Sequence, residues 1–412
     1  MGGEWRETTL GNVLNLKRGY DLPTQDRISG PHPIVSSSGI TGRHRDAKVK
    51  GPGVVTGRYG TLGEVHYVTE DFWPLNTTLY VQDFKGNDPR FVSYFLRSLN
   101  FQSYSDKSSV PGLNRNHLHL ESVRIPKDVR EQCAIAEILG SLDDKIELNR
   151  RTSGTLEKLA RAIFRAWFVD FEPVKAKAAG ARSFPSMPQQ AFDALPTRLT
   201  PSELGPIPEG WEVKAVSDAF DVNPTRSLRK GESAPYLEMK GMPTNGHAPE
   251  AWIERPFGSG MRFINGDTLV ARITPCLENG KTAFVDFLAD GEIAWGSTEY
   301  IVLRPKPPLP PIFAYCLART GEFRDFAIQN MTGTSGRQRV TPTAMDHFRI
   351  ALPCEEVAVA FGEAVHPMFD CIRARMNESR KLATLRDYLL PKLLSGEVRV
   401  GAAELFLEKT TS

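Results

Sequence analysis

The chain contains one pattern twice, and this internal repeat restricts its possible folds more than any other feature. The first copy begins near Trp5 and has a basic turn at Arg58, and the second begins near Trp211 and has its turn at Arg272. The offset between the copies is 206 residues at the Trp, 214 at the Arg and 226 in the final helix. Insertions into the surface loops of a shared fold produce such a growing offset. We therefore expect two similar units with two equivalent sites.

Composition narrows the class of protein. A chain of 412 residues exceeds one ordinary hydrophobic core and predicts two to three domains. The net charge of +2 gives no general argument for nucleic acid, so only local clusters of charge could support one. The five cysteines are widely spaced and form no C-x-x-C pair, which favours reduced thiols. With no apolar run of 18 residues, the sequence predicts a cytoplasmic protein.

Changes in periodicity divide the chain into six segments. The globular segments mix short β-type runs with turn residues, which predicts an α+β fold, whereas the long segments after them follow helical spacing. The segment between the copies is rich in proline, which predicts an extended crossing with little regular structure. The predicted segments are a first globular domain 1–128, a helix 129–171, a Pro-rich linker 172–208, a second globular domain 209–354, a helix 355–396 and a tail 397–412.

The two long helices share an apolar seam over about five heptads, which predicts an antiparallel coiled-coil pair. Both seams have a polar gap, at Asn149 and Ser153 in the first helix and at Arg375 and Ser379 in the second. Separate packing of each helix on its own domain is the alternative. Pro367 predicts a kink or a late start of the second helix. The predicted interface residues are Leu139, Leu142, Ile146, Leu156, Ile163, Trp167, Met368, Ile372, Leu382 and Leu389.

A search for catalytic patterns returns no coherent set of nucleophile, base and orienting group. Gly280-Lys281-Thr282 resembles the end of a phosphate-binding loop, but Pro275 replaces the earlier Gly, so a hairpin turn is favoured. His117 and His119 alternate with leucines, which favours one face of a strand over a metal site. We expect neither a catalytic residue nor a metal ligand in this chain.

Polar and basic loops recur at matching places in the two copies. Arg, Asn, Gln and Thr side chains contact base edges and phosphates, and Gly permits close backbone approach. Any one loop is as consistent with a solvated surface as with DNA, and the recurrence is what favours DNA. The predicted DNA contacts are Arg43, Arg45, Arg58, Tyr59, Arg115, Asn116, Arg272, Thr274, Arg337, Gln338 and Arg339.

Taken with the repeat, several motifs resemble the specificity subunits of type I restriction-modification systems. Leu204-Gly205-Pro206-Ile207-Pro208-Glu209-Gly210-Trp211 opens the second copy, and Val123-Arg124-Ile125-Pro126 precedes Gln132-Cys133-Ala134-Ile135-Ala136. Leu142-Asp143-Asp144-Lys145-Ile146 and the Gly57–Gly63 hairpin add to the likeness, which covers nearly the whole chain. The second copy departs from the pattern because Val357-Ala358-Val359-Ala360 replaces the Gln-containing run.

The resemblance implies two target recognition domains in a pseudo-two-fold, circular arrangement, separated by the two helices. Each domain would bind half of a split, asymmetric sequence in double-stranded DNA. Two methyltransferase subunits would dock on the chain, and restriction subunits with translocase and nuclease activity would complete the complex. S-adenosylmethionine, ATP and magnesium would then bind in those partners, and this chain would be non-catalytic.

Two other interpretations stay open at the level of sequence. The chain could be a protein-binding assembly scaffold without its own DNA recognition, in which the matched loops are features of the shared fold. It could also methylate or cut DNA by itself, although the absence of cofactor-binding motifs argues against that.

Overall fold

Two compact units are present in the computed structural model, which describes residues 4–101, 112–249, 251–334 and 336–403. Unit 1 comprises Met1–Glu147 with Glu378–Ser412, and unit 2 comprises Leu148–Asn377. Each long helix therefore contributes one segment to each unit. The predicted α+β class with two long helices is confirmed.

Unit 1 is built from short strands and three short helices, followed by the first long helix. Its strands are β1 (Trp5–Thr9), β2 (Asn15–Arg18), β3 (His32–Ser36), β4 (Gly39–His44), β5 (Gly53–Gly57), β6 (Val65–Val68), β7 (Trp73–Pro74), β8 (Thr78–Asp83) and β9 (Ser122–Pro126). Its helices are α1 (Leu10–Val13), α2 (Pro89–Arg97), α3 (Arg115–His119) and the start of α4 (Val129–Phe168), with a 3-10 turn at Thr24–Asp26. Strands order as β2-β8-β5-β6, as β4-β3-β7 and as the pair β1-β9.

Unit 2 repeats this plan with additional elements. Its helices are α5 (Glu172–Ala178), α6 (Gln189–Ala194), α7 (Val216–Ala219), α8 (Pro311–Ala318), α9 (Gly321–Gln329) and α10 (Glu355–Ser395), of which the last segment lies in unit 1. Two 3-10 turns are Met239–Gly241 and Pro342–Asp346. Its strands are β10 (Leu199–Ser202), β11 (Gly205–Pro208), β12 (Glu212–Ala215), β13 (Phe220–Val222), β14 (Ser233–Leu237), β15 (Ile253–Pro256), β16 (Met261–Phe263), β17 (Thr268–Ala271), β18 (Thr282–Phe284), β19 (Ala294–Gly296), β20 (Tyr300–Pro305), β21 (Met331–Thr332), β22 (Arg339–Val340) and β23 (Arg349–Leu352).

Sheet topology gives the repeat a structural form. The sheet β13-β20-β17-β18 of unit 2 has the same order as β2-β8-β5-β6 of unit 1, and the pair β12-β23 matches β1-β9. A second sheet in each unit contains one parallel pair, β3 with β7 and β14 with β19. The two copies therefore share one topology.

Both units pack their segments of α4 and α10 in an antiparallel manner. In unit 1, Leu139 and Leu142 share a buried cluster with Leu389 and Leu393, and Asp143 pairs with Arg386. In unit 2, the rings of α4 at positions 164 and 167 pack on the α10 ring at position 361. Residue numbers thus rise along α4 as those of its contacts on α10 fall.

The polar gap in the seam is a direct contact between repeat-equivalent residues. Asn149 and Arg375, which differ by the helix offset, are hydrogen-bonded: the Arg375 Nη1 donates to Asn149 Oδ1 at 3.1 Å. The amide of Asn149 donates in turn to the backbone oxygen of Arg375 at 3.4 Å. Two equivalent antiparallel helices can place equivalent residues opposite each other at one level only. The gap lies at that level.

Two expectations about the helices and the linker are wrong. The segment 172–208 contains α5, α6 and the hairpin β10-β11, because Phe171, Val174 and Phe192 are buried in the core of unit 2. The second long helix starts at Glu355 and continues through Pro367, so the late start is wrong and the kink stays a prediction. Burial of its side chains on both sides of the proline stabilises the helix there.

Candidate nucleic-acid interface

In unit 1 the basic turn after β5 lies where three segments of the chain meet. The backbone N–H of Arg58 donates to the oxygen of Thr77 at 2.9 Å, and its own oxygen accepts from Leu113 at 3.0 Å. Tyr59 forms a β-bridge with Gly112. A Cβ on Gly57 would lie 2.1 Å from the oxygen of Thr61, so only glycine permits this closed turn. We call this meeting of segments the Arg58 junction.

The side chains of the Arg58 junction face outward. The Arg58 guanidinium lies 4.5 Å from the centre of the Tyr59 ring, and 36% of Tyr59 is exposed. Within the described part of the chain, Arg58 has no carboxylate partner. A cation stacked on an aromatic ring keeps its hydrogen-bond donors available. Both groups are thus available to a ligand.

Arg115 and Asn116 follow this junction on the single turn of α3 and are exposed. The Asn114 side chain caps the turn by accepting from the Asn116 backbone at 3.0 Å. The predicted strand at His117 and His119 is therefore wrong. His119 instead accepts from the Leu16 backbone at 3.0 Å, and burial lowers its pKa. The sequence also predicts a polar loop over Ser108–Asn116 that carries Arg115 and Asn116, and its first part, Ser108–Pro111, lies outside the described residues.

Arg43 and Arg45 lie elsewhere in unit 1. The hairpin β3-β4 brings Ser37, at its tip, beside Gly57 and Gly60, whereas the two arginines lie at its other end, on the order of 13 Å away along the strand. Arg43 donates to both oxygens of Glu70 at 3.0 and 3.2 Å. Arg45 pairs with Asp46 at 3.4 Å. The structure does not bring this pair to the Arg58 junction.

Unit 2 has the equivalent meeting of segments at Arg272. The backbone N–H of Arg272 donates to the oxygen of Glu299 at 3.0 Å, and its oxygen accepts from Val340 at 2.9 Å. Ile273 bridges to Arg339. We call this the Arg272 junction. Its three backbone contacts match those of the Arg58 junction one for one.

Most of the predicted contacts in unit 2 come together here. The N–H of Thr274 donates to the oxygen of Gln338 at 3.1 Å. Among the residues that the structure describes, the buried Thr274 hydroxyl has no hydrogen-bond partner. Arg337 is exposed, and its backbone oxygen accepts from Arg339 at 3.1 Å. Arg272, Thr274, Gln338 and Arg339 therefore form one cluster, with Arg337 at its edge.

A carboxylate that sequence reasoning missed lies inside this cluster. Glu299 accepts from the Arg339 Nε at 2.8 Å and lies 3.5 Å from the Arg272 Nε. The hydrogen bond to Glu299 raises the pKa of Arg339. A single Glu after a turn carries no signal in the sequence. Aligning Glu299 with Thr77 in the first copy would have marked the difference.

The predicted helix-pair residues also have definite places. Leu139, Leu142, Leu382 and Leu389 are buried in the core of unit 1, and Ile146 packs against it. In unit 2, Ile163 and Trp167 are buried and Met368 packs against them. Ile372 is buried and Leu156 is half-buried.

In residues 4–101, 112–249, 251–334 and 336–403, no three His, Cys, Asp or Glu side chains cluster as a metal site would require. Over the same ranges, no helix combines the length and apolar character needed to cross a membrane. The basic and polar groups at the two junctions are the candidate site.

Comparisons with known proteins agree with this architecture. Residues 2–158 match the family described as "Type I restriction modification DNA specificity domain". The chain is 23% identical over 474 residues to the type I restriction enzyme HindI specificity subunit of Haemophilus influenzae, covering 96% of this chain and 100% of that protein. It is 25% identical over 326 residues to the MjaIX specificity subunit of Methanocaldococcus jannaschii, covering 75% of this chain and 69% of that protein.

A solved structure supports the fold. The S subunit of the type I restriction-modification system from M. genitalium matches with a TM-score of 0.59 at 15% identity, over 95% of this chain and 96% of that chain. The repeated topology and the long helices are thus shared with a solved structure at the level of the fold. In sequence, the chain is similar to the specificity subunits of type I restriction-modification systems.

Proposed function

We propose that this chain reads DNA sequence for a type I restriction-modification complex, one half of a bipartite asymmetric target in each unit. The observation that carries the proposal is the repeated junction, in which an arginine between the same three backbone contacts is presented twice. Arginine forks bind guanine edges and phosphates, so two such sites on one chain suit a split target. The surrounding side chains differ between the copies, which fits two different half-sites.

The long helices are proposed to set the spacer between the two half-sites and to dock two methyltransferase subunits. A helix of 40 residues, as α4 is, is about 60 Å long. Methylation and ATP-dependent cleavage are proposed to belong to the methyltransferase and restriction subunits, which would bind S-adenosylmethionine, ATP and magnesium. This chain would then be a non-catalytic reader that works in the cytoplasm, where the DNA is.

The test is to co-express the chain with its methyltransferase subunit in a host free of DNA methylation and to map modified bases by long-read sequencing. We expect a motif of two defined halves around an unspecified gap. Absence of modification, with the partner shown to be folded and active, would contradict the proposal and favour an assembly scaffold without DNA readout. S-adenosylmethionine binding by the chain alone would instead favour a self-sufficient enzyme.

Binding measurements separate the same alternatives. For the complex on double-stranded DNA we expect affinity to fall steeply with salt, since phosphate contacts release counterions. A scaffold without DNA recognition would show neither a salt-dependent affinity of its own nor any preference between the mapped target and a scrambled duplex.

A further inference from the structure

The two junctions share a backbone frame but differ at one position. The oxygen that accepts from the junction arginine belongs to Thr77 in unit 1 and to Glu299 in unit 2, at 2.9 and 3.0 Å. These two residues are therefore structural equivalents, in agreement with the sequence, where each lies four residues after a repeated tryptophan, Trp73 or Trp295. The exchange places a carboxylate beside Arg272, whereas the matching residue of unit 1, Thr77, carries no charge.

The Glu299 carboxylate is engaged on two sides. Its Oε1 lies 2.8 Å from both Nε and Nη2 of Arg339, and its Oε2 lies 3.5 Å from the Nε of Arg272. Only 22% of the Glu299 side chain is exposed, and 24% of that of Arg272. One half-buried acid is thus hydrogen-bonded to Arg339 and paired by charge alone with Arg272, and the three side chains keep a net positive charge.

Arg272 and Arg339 are held in different ways. Arg339 uses Nε and Nη2 for Glu299 and Nη1 for the backbone oxygen of Arg337. The Arg272 Nε is buried and lies 3.5 Å from the Glu299 carboxylate as an ion pair without a hydrogen bond, and within the described residues its two terminal nitrogens have no partner. A guanidinium that is paired by charge at Nε and has free terminal donors can present the fork that reads the O6 and N7 of guanine. Orientation before binding also reduces the entropy lost on binding.

We propose that Glu299 is a positioning residue that orients Arg272 to read a guanine in the second half-site. This rests on the proposed function and deepens it by naming the reader. Arg339 supports Glu299 and does not contact a base. The first unit has Thr77 at this place. Arg58 therefore stacks on Tyr59 and recognises its half-site without a carboxylate that positions it.

The experiment uses the complex of this chain with its methyltransferase subunits after the wild-type target has been mapped. Binding is measured on duplexes with single-base changes at every position of both half-sites. For Glu299→Gln we expect discrimination at one G·C pair of the second half-site to fall about 10-fold or more, with the first half-site unchanged. Arg272→Lys, which leaves the Glu299–Arg339 pair intact, should lose the same discrimination while keeping its charge.

Controls separate positioning from damage to the fold. Glu254→Gln, an exposed acid of the same unit, should change nothing. Glu299 acts through Arg272, so Glu299→Gln should add no further loss to Arg272→Ala. Additive losses would show that Glu299 contacts a base itself and would overturn the proposal. So would a second half-site without guanine on either strand, or an equal loss of affinity for all duplexes.

The outcomes that overturn the positioning role of Glu299 can be distinguished from those that overturn the proposed function. A wild-type complex that discriminates at neither half-site would end the reader hypothesis altogether. Retained readout of both half-sites in Glu299→Gln would leave the reader hypothesis intact and remove only the positioning role. A thermal midpoint within a few degrees of wild type shows that the variant is folded.

Discussion

Unit 1 adds a network of charged and amide groups to the leucine cluster that packs its segments of the long helices, whereas the main cluster on the corresponding segments of unit 2 is aromatic. In unit 1, the Asp143 carboxylate accepts from Tyr94 at 2.7 Å, Arg97 at 3.0 Å and Arg386 at 2.7 Å. The buried amide of Gln132 donates to Asn87 at 2.8 Å. By the helix offset, the positions equivalent to Asp143 and Gln132 in unit 2 are Phe369 and Ala358.

The aromatic cluster of unit 2 is extensive. The ring of Phe361 lies 5.8 Å from that of Phe164, 5.0 Å from Phe168 and 6.2 Å from Phe313. The comparison teaches that equivalent positions of one topology can be stabilised by directional polar bonds in one copy and by apolar burial in the other. The two copies should therefore respond differently to acid and to loss of side-chain volume.

Truncation of the aromatic cluster should have the largest effect. Phe361 is fully buried, so Phe361→Ala should lower the free energy of unfolding by about 3 to 5 kcal/mol through lost burial and a residual cavity. Urea unfolding followed by circular dichroism measures this. Val359→Ala on the same helix, 44% exposed, is the matched control and should cost well under 1 kcal/mol. A small change in Phe361→Ala would contradict the aromatic account of unit 2.

The polar network of unit 1 should be sensitive to acid. Burial opposes ionisation of Asp143, but hydrogen bonds from Arg386 and Tyr94 and the charges of Arg97 and Arg386 outweigh it and lower its pKa. A carboxylate with a lowered folded-state pKa contributes stability above its unfolded pKa, about 3.9. That stability is lost as pH falls through the folded value. Asp143→Asn should therefore cost about 2 kcal/mol at neutral pH.

The difference between Asp143→Asn and wild type should shrink as pH falls below about 4, and unfolding curves at several pH values measure this. Asp144→Asn is the control, because Asp144 is 67% exposed and pairs only at the surface with Arg90. A constant difference across this pH range would show that Asp143 stabilises unit 1 by packing and not by its charge.

A substitution at one junction should change the recognition of one half-site only, as a core substitution in one unit should destabilise that unit. We expect Arg337→Ala to relax or abolish readout of one half-site and to leave the other unchanged, with discrimination reduced by about 1 to 3 kcal/mol. Base-by-base binding of the assembled complex measures it, with exposed Lys230→Ala as a control for the lost charge. Uniform weakening on all sequences would mark Arg337 as a phosphate contact.

The smallest expected effect concerns the seam of unit 2 outside the aromatic cluster. Leu156 is half-buried, so Leu156→Asn should lower stability by about 1 kcal/mol. Leu159→Asn, 44% exposed on the same helix, should do less. If neither the thermal midpoint nor assembly with the methyltransferase changes in Leu156→Asn, the pairing hypothesis for this level of the seam fails.

The sequence predicted features that repeat and missed those that depend on a single neighbour. Heptad spacing predicted both long helices, because burial of one face recurs over many turns. The alternation at His117 and His119 misled, because five residues distinguish a capped helical turn from a strand only through the Asn114 cap. Proline content hid α5 and α6, whose order comes from burial of Phe171 and Phe192.

In the candidate site, too, the sequence predicted the repeated residues and missed a residue that depends on a single contact. The recurring arginines were visible in the sequence, and the structure places Arg58 and Arg272 in matched backbone frames. Glu299 was not singled out from the sequence. Counting from Trp73 and Trp295 aligns it with Thr77, but its contact with Arg339 exists only in the folded chain. Arg43 and Arg45 were grouped with Arg58 by composition, but strand register carries them to the far end of a hairpin.

The discontinuity of unit 1 has a consequence for synthesis of the chain on the ribosome. Unit 2 is one continuous segment, but unit 1 needs residues from both ends of the chain. Leu139 and Leu142 are translated roughly 250 residues before Leu389 and Leu393, which share their buried cluster. At a translation rate of about 5 to 20 residues per second, Leu139 and Leu142 are synthesised on the order of 10 to 50 seconds before those partners. During that interval the apolar stripe of the first helix is a ready target for a chaperone.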